Sequence, residues 1–205
     1  MDIFGFAVSP EIILFSAFVI GIPFVIGMIS LKYSIKATNE TMQNLAKEFN
    51  FRKTGETELK GIYGNKEMII NRGSFVGGES NFPSVNIETT FSDESEPKII
   101  TTPYFSLSRK IFHIKWNGFD NSFNITGNVA PSFDGETRSR LESLFEYFDQ
   151  FTNLSAWPPN RGQAHKAGKV SFELPWEVTK DLDSLRTAMD VVVRVADYMP
   201  GIIRR

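Results

Sequence analysis

From Ile12 to Leu31 the chain reads IILFSAFVIGIPFVIGMISL, without one charged residue. The apolar positions show no stripe; they surround the whole helix. Roughly 20 residues at 1.5 Å rise cover ~30 Å, the thickness of a bilayer's hydrocarbon core. The pattern predicts a transmembrane helix over residues 12–33, after a short N-terminal segment 1–11. Pro23, between Gly21 and Gly27, is tolerated in such a helix and can kink it. Ala17 and Gly21 stand four apart and predict a helix–helix contact through small residues. The segment before the run, MDIFGFAVSPE, has no Lys or Arg, and no small-x-small cleavage site follows it. The run is therefore expected to persist as a signal anchor in a single-pass membrane protein. Lys32 and Lys36 directly follow it, and by the positive-inside rule they place the remainder in the cytoplasm.

After the span the rhythm changes. Ile35, Thr38, Met42, Leu45 and Phe49 recur at helical spacing and predict a juxtamembrane helix over 34–50. A soluble domain over 51–205 follows. Two strand-like runs flank Gly64-Asn65, a pair suited to a tight hairpin. GSFVGGES, from Gly73, reads as a glycine-rich connection, and Ser84–Phe91 as an alternating strand. SDESEPK (92–98) reads as a solvated acidic loop, while residues 99–107 follow no single rhythm. Lys110–Trp116 alternates, with His113 beside Lys115 on its polar face. DNSFNITG (120–127) sets Phe123 and Ile125 against Ser122 and Asn124, a half-buried strand. Leu141, Leu144, Phe145, Phe148 and Phe151 give a helix that Asp134 can cap. A long polar segment, TNLSAWPPNRGQAHKAG, leads to a short strand, GKVSFELP. A last helix is expected from about Lys180 to Met199, ended by Pro200. Strands in a run without regular βαβ alternation predict an α+β fold, an antiparallel sheet with helices packed on one face, preceded by the membrane helix.

Composition narrows the chemistry. The chain has no cysteine, so disulfides, thiolate nucleophiles and Cys-ligated metals are excluded. Its two histidines, His113 and His165, are far apart, which disfavours a His-rich metal centre. There are 22 Lys and Arg against 24 Asp and Glu, and Asp2 and Glu11 precede the span, so the soluble part is balanced. That lacks the basic excess of a nucleic-acid partner. GQAHKAGKV misses the P-loop spacing and its Ser or Thr. DNSFNITG fails as a calcium loop, since Ile125 stands at the required Gly and Pro131 at the required Glu. Asn39, Asn124 and Asn153 begin glycosylation sequons, which matter only outside the cytoplasm. No catalytic, cofactor-binding or metal-binding residue is predicted. The segment Trp157–Lys169 is the best surface candidate: Trp157, Arg161, Lys166 and Lys169 suit contact with anionic headgroups.

The pieces LAKEFNF, LKGIYGNKEMII and NGFDNSFNITGN, with the final Val- and Ala-rich helix, resemble a family of single-span prokaryotic membrane proteins that carries a domain of unknown function. Gly61, Tyr63, Ile69 or Ile70, Gly118, Phe119, Phe123, Ile125 and Gly127 fit its outline. The resemblance implies a membrane-anchored domain and no catalytic motif. The expectation is a non-enzymatic accessory or scaffold at the membrane, with the bilayer and another membrane protein as partners. The alternatives are a lipid- or ligand-binding domain and, last, an enzyme of unrecognised type.

Overall fold

The computed structural model describes the chain from residue 10, except residues 78–79, 97–101, 110–122, 128–132, 148–151, 161–166 and 204–205. Side chains of residues 10–18, 20, 21, 31, 75–81, 109, 123–126 and 147 also lie outside the description. The chain divides into two compact units, residues 1–41 and 42–205.

A helix, α1 (Pro10–Glu48), contains Pro23. In the first unit Ile22 to Ser30 are all exposed. Thr38 is buried, and its hydroxyl donates to the Ser34 carbonyl at 2.9 Å. Among the described residues no helix is long and apolar enough to cross a membrane. The predicted span lies partly outside the description, since the side chains of 12–18, 20, 21 and 31 are not described.

Among its described residues the second unit holds an eight-stranded sheet in the order β1-β2-β3-β4-β8-β7-β5-β6, with every neighbouring pair antiparallel. The strands are β1 (Arg52–Lys53), β2 (Glu58–Tyr63), β3 (Lys66–Gly77), β4 (Ser80–Ser92), β5 (Phe105–Arg109), β6 (Phe123–Thr126), β7 (Asn153–Trp157) and β8 (Ala167–Pro175). Its other described elements are the helices α2 (Gly135–Tyr147) and α3 (Leu182–Ile203) and a short 3-10 turn at Trp176–Lys180. The α+β class predicted from the sequence is the observed one.

Alternation decides which face is buried. Along β8 Gly168, Val170, Phe172 and Leu174 are buried, while the residues between them are half-exposed. Val85, Ile87 and Phe91 of β4, Met68 and Ile70 of β3, and Leu154 and Ala156 of β7 share that buried face. Leu141, Leu144 and Phe145 of α2 and Leu185, Met189 and Val192 of α3 pack against it in one core. The Phe145 and Phe172 rings lie 6.1 Å apart. Met42 and Leu45 belong to the same core.

Local chemistry sets the turns and caps. Gly64 and Asn65 have φ of +55° and +65°, the left-handed pair that joins β2 to β3 at Tyr63↔Lys66. Asp134 accepts the Thr137 backbone N–H at 2.7 Å and so caps α2. Asp181 does the same for α3, accepting the backbone N–H groups of Asp183 and Ser184 at 3.1 and 3.3 Å. Gly168 is a seat for an aromatic ring: a Cβ there would stand 2.1 Å from Cζ of Phe91.

Four elements differ from the sequence reading. The glycine-rich stretch at Gly73 continues β3 rather than leaving the sheet. The polar segment before Gly168 contains a strand, β7, whose Leu154 and Ala156 are buried; its small side chains hide the alternation. α3 runs past Pro200 to Ile203. A proline removes one donor but does not unwind a turn held by other contacts, and Ile203 packs on the core. The acidic loop is not wholly solvated, since Asp93 is buried. Its Oδ2 accepts the Tyr104 hydroxyl at 2.7 Å, and its Oδ1 accepts the Ser95 backbone N–H at 2.9 Å. Strand Lys110–Trp116, with His113, lies outside the described residues.

Candidate functional site

The face of the sheet opposite the core is a polar layer. Register brings Asn71, Asn86, Glu173 and Asn153 into one row across β3, β4, β8 and β7. The next row holds Glu88, Ser171, Ser155 and Ser106. The residues alternate with the buried Val, Ile, Phe and Leu, so the same period that builds the core builds this layer.

Hydrogen bonds run across the strands within it. Ser84 Oγ donates to Glu173 Oε1 at 2.8 Å. Ser171 Oγ donates to Asn86 Oδ1 at 2.7 Å, and Asn86 Nδ2 donates to Glu88 Oε1 at 2.7 Å. Lys169 Nζ closes on the same Glu88 oxygen at 2.8 Å. Ser106 Oγ donates to Asn153 Oδ1 at 2.7 Å. Burial pushes the Glu173 carboxyl above its ordinary value, against the smaller opposing effect of the Ser84 hydroxyl.

A prediction follows from the sign. Glu173 binds its proton more tightly folded than unfolded, so folding gains stability below the ordinary value of about 4.5 and loses it as pH rises through the folded value. Glu173→Gln is neutral at every pH. Its denaturation midpoint is expected to hold as pH rises from 4.5 toward 7, where the parent's falls. Parallel slopes for the two would refute the assignment.

The chemistry available to the layer is limited. Ser84 has no exposed surface, so its hydroxyl is closed to a substrate despite the carboxylate beside it. Among the described residues no group of three or more His, Cys, Asp or Glu could hold a metal ion. Ser84 with Glu173, Ser171 with Asn86, Asn86 and Lys169 with Glu88, and Ser106 with Asn153 hydrogen-bond within the layer.

A second polar cluster ties α2 to α3 and the β2–β3 hairpin. Arg140 donates to Asp190 at 2.5 Å and to Glu136 at 2.9 Å, and Arg194 also donates to Glu136 at 2.7 Å. The Tyr63 hydroxyl donates to the other Asp190 oxygen at 2.9 Å. Burial, then the bond to Asp190, pushes the Tyr63 hydroxyl up to about 12. Acids and bases alternate here, which makes the cluster a brace between elements rather than an open binding site.

Of the residues singled out in the sequence, Trp157 and Lys169 are brought together as cross-strand partners of β7 and β8. Neither is a loop residue. The Trp157 indole N–H donates to Ser155 Oγ at 2.8 Å, and the Lys169 ammonium is paired with Glu88. Its charge is therefore met within the sheet. Arg161 and Lys166 lie outside the described residues, as do the side chains of Ala17 and Gly21. The Asn153 amide, half-buried in the sheet, is held by Ser106. Asn124 is on β6, and its side chain is not described.

Sequence reasoning did not single out Ser84, Asn86 or Glu173, and it took Asn153 only as the start of a sequon. The signal present was V-S-F-E-L, in which the polar residues of β8 alternate with apolar ones; which strands flank them is a matter of topology. The chain matches no family model, no curated protein and no solved structure.

Proposed function

We propose that this chain is a membrane-anchored, non-enzymatic domain facing the cytoplasm, an accessory or scaffold for a process at the membrane. One observation carries the reading. From Ile22 to Ser30 every side chain is exposed and none is charged. Ile22, Phe24, Val25, Ile26, Met28 and Ile29 are between 42% and 68% exposed. Nine consecutive positions pass every side of a helix, so no face of this stretch is polar. Such a surface is unfavourable in water, and a bilayer removes that cost without a protein partner. The charge-free run extends back to Ile12, which supplies the length for a span. Lys32 and Lys36, both exposed, support the cytoplasmic orientation. The hydrogen bonds that run from strand to strand within the polar layer support a framework role.

The test is purification of the intact chain in mild detergent through a C-terminal tag. A stable membrane-protein partner is expected to co-purify. Repeated recovery of the chain alone would overturn the accessory role, and digestion of the tag from outside intact cells would overturn the orientation.

A further inference from the structure

The exposed stretch of α1 is not the same on all sides. Among the described residues Phe24, Val25, Met28, Ile29, Lys32 and Ile35 line a groove of about 450 Å³. Their spacing puts them on one face of the helix. Every lining residue but Lys32 is apolar, and Lys32 stands directly after the charge-free run. From Phe24 to Lys32 the helix rises ~12 Å, close to the ~15 Å of hydrocarbon in one leaflet of a bilayer. The groove thus has the depth of a single leaflet, with its cation at the level of the headgroups. Tyr33, 71% exposed, adjoins Lys32 at that level, where tyrosine sits in membrane interfaces.

The charge of Lys32 is unmet. No Asp or Glu occurs between Glu11 and Glu40, so its own helix offers no acid within a turn. Lys36, one turn on, faces Glu40 at 3.9 Å; among the described residues no carboxylate pairs with Lys32. An apolar trough with one free positive charge at its mouth is complementary to an acyl chain that ends in a phosphate. A second copy of the chain fits it poorly. Chains inserted with one orientation run parallel, and a two-fold contact through this face would set Lys32 against Lys32.

We propose that this groove holds one anionic phospholipid, drawn from the leaflet at the Lys32 end of the span. Its acyl chain lies along Phe24, Val25, Met28 and Ile29, and its phosphate meets Lys32. The inference rests on the anchored reading above and adds to it a preferred lipid. A span without such a site takes lipids in proportion to their abundance, apart from the diffuse pull of flanking charges. In the groove the selection belongs to one residue, since Lys36 shares its charge with Glu40.

Because the chain has no cysteine, a single label reads the contact directly. Tyr33→Cys, beside Lys32 but outside the groove, carries a fluorophore. The full chain is reconstituted in phosphatidylcholine vesicles that hold a minor share of nitroxide-bearing phosphatidylglycerol or, in parallel, the same share of nitroxide-bearing phosphatidylcholine. Quenching is expected to show a preference of about fivefold for the anionic lipid, what one lysine at the surface supplies. Lys32→Gln is expected to bring the ratio to about one, and Lys36→Gln to leave most of it. Should the label disturb the site, the ratio of the two lipids that co-purify with the unlabelled chain in mild detergent gives the same reading. Equal losses in Lys32→Gln and Lys36→Gln mean a diffuse attraction and overturn the groove. Equal quenching by the two lipids, with the chain still resistant to carbonate extraction, overturns the groove and leaves the anchor standing. Recovery of Met28→Cys as a disulfide-linked dimer puts a second copy there and overturns the lipid. Release of the chain by carbonate overturns the anchor and the lipid site together.

Discussion

Phe172→Ala is expected to destabilise the soluble domain by about 3–5 kcal/mol, a large fraction of the ~5–15 kcal/mol that holds a domain together. Phe172 is fully buried on β8, which has β4 on one side and β7 on the other. Its register partners are Ile87 and Leu154, both without exposed surface, and the Phe145 ring of α2 stacks 6.1 Å away. Truncation removes apolar area and leaves a cavity between sheet and helix that neither can close without breaking its own hydrogen bonds. Urea denaturation of residues 34–205, followed by circular dichroism, measures the loss. Ile62→Ala is the internal comparison. It removes an apolar side chain from a position that is 68% exposed, and a change within about 0.5 kcal/mol is expected. Equal losses at the two sites would refute the placement of the core.

Ile22→Asp is expected to move the intact chain from the carbonate-resistant membrane fraction toward the soluble one. Ile22 is near the middle of the charge-free run and is exposed on its helix. A carboxylate at that depth costs about 2.5–3.5 kcal/mol, roughly 100-fold in partition, and its short side chain cannot reach the interface as an arginine would. Ile22→Leu keeps the apolar character and should partition as the parent does. If Ile22→Asp stays in the membrane fraction as firmly as Ile22→Leu, the helix is held by a protein surface rather than by lipid, and the anchored reading falls.

The two experiments address two kinds of apolar residue. Phe172 is covered by its own chain. Ile22 is not. Such an uncovered apolar run is where this protein's contacts are to be sought. Lys169 shows the difference: in sequence it looks like one of several available cations, yet in the sheet it is neutralised by Glu88 from a strand that precedes it by some eighty residues.

Much of the architecture was legible along the chain because it depends on period and local chemistry. Alternation in β4 and β8, the 3.6-residue stripes of α2 and α3, the Gly64-Asn65 turn and the Asp134 cap are all set by neighbours within a few residues. The α+β class follows from their order. β7 escaped because NLSAW carries small residues where a strand usually carries large ones. Pro200 misled because proline's cost is local, whereas the packing of Ile203 is not. The cysteine-free, charge-balanced composition and the charge-free run at the N-terminus are likewise properties of the sequence by itself. Only the tertiary structure decided which strands adjoin. It set β4 beside β8 and β5 beside β7, buried Asp93 under Tyr104, and made Trp157 and Lys169 a cross-strand pair. It also left the end of β3–β4 without neighbouring strands among the described residues. The physical reason is range: helical and strand periods are written in near neighbours, while hydrogen bonds between distant strands exist only after the chain has folded back on itself.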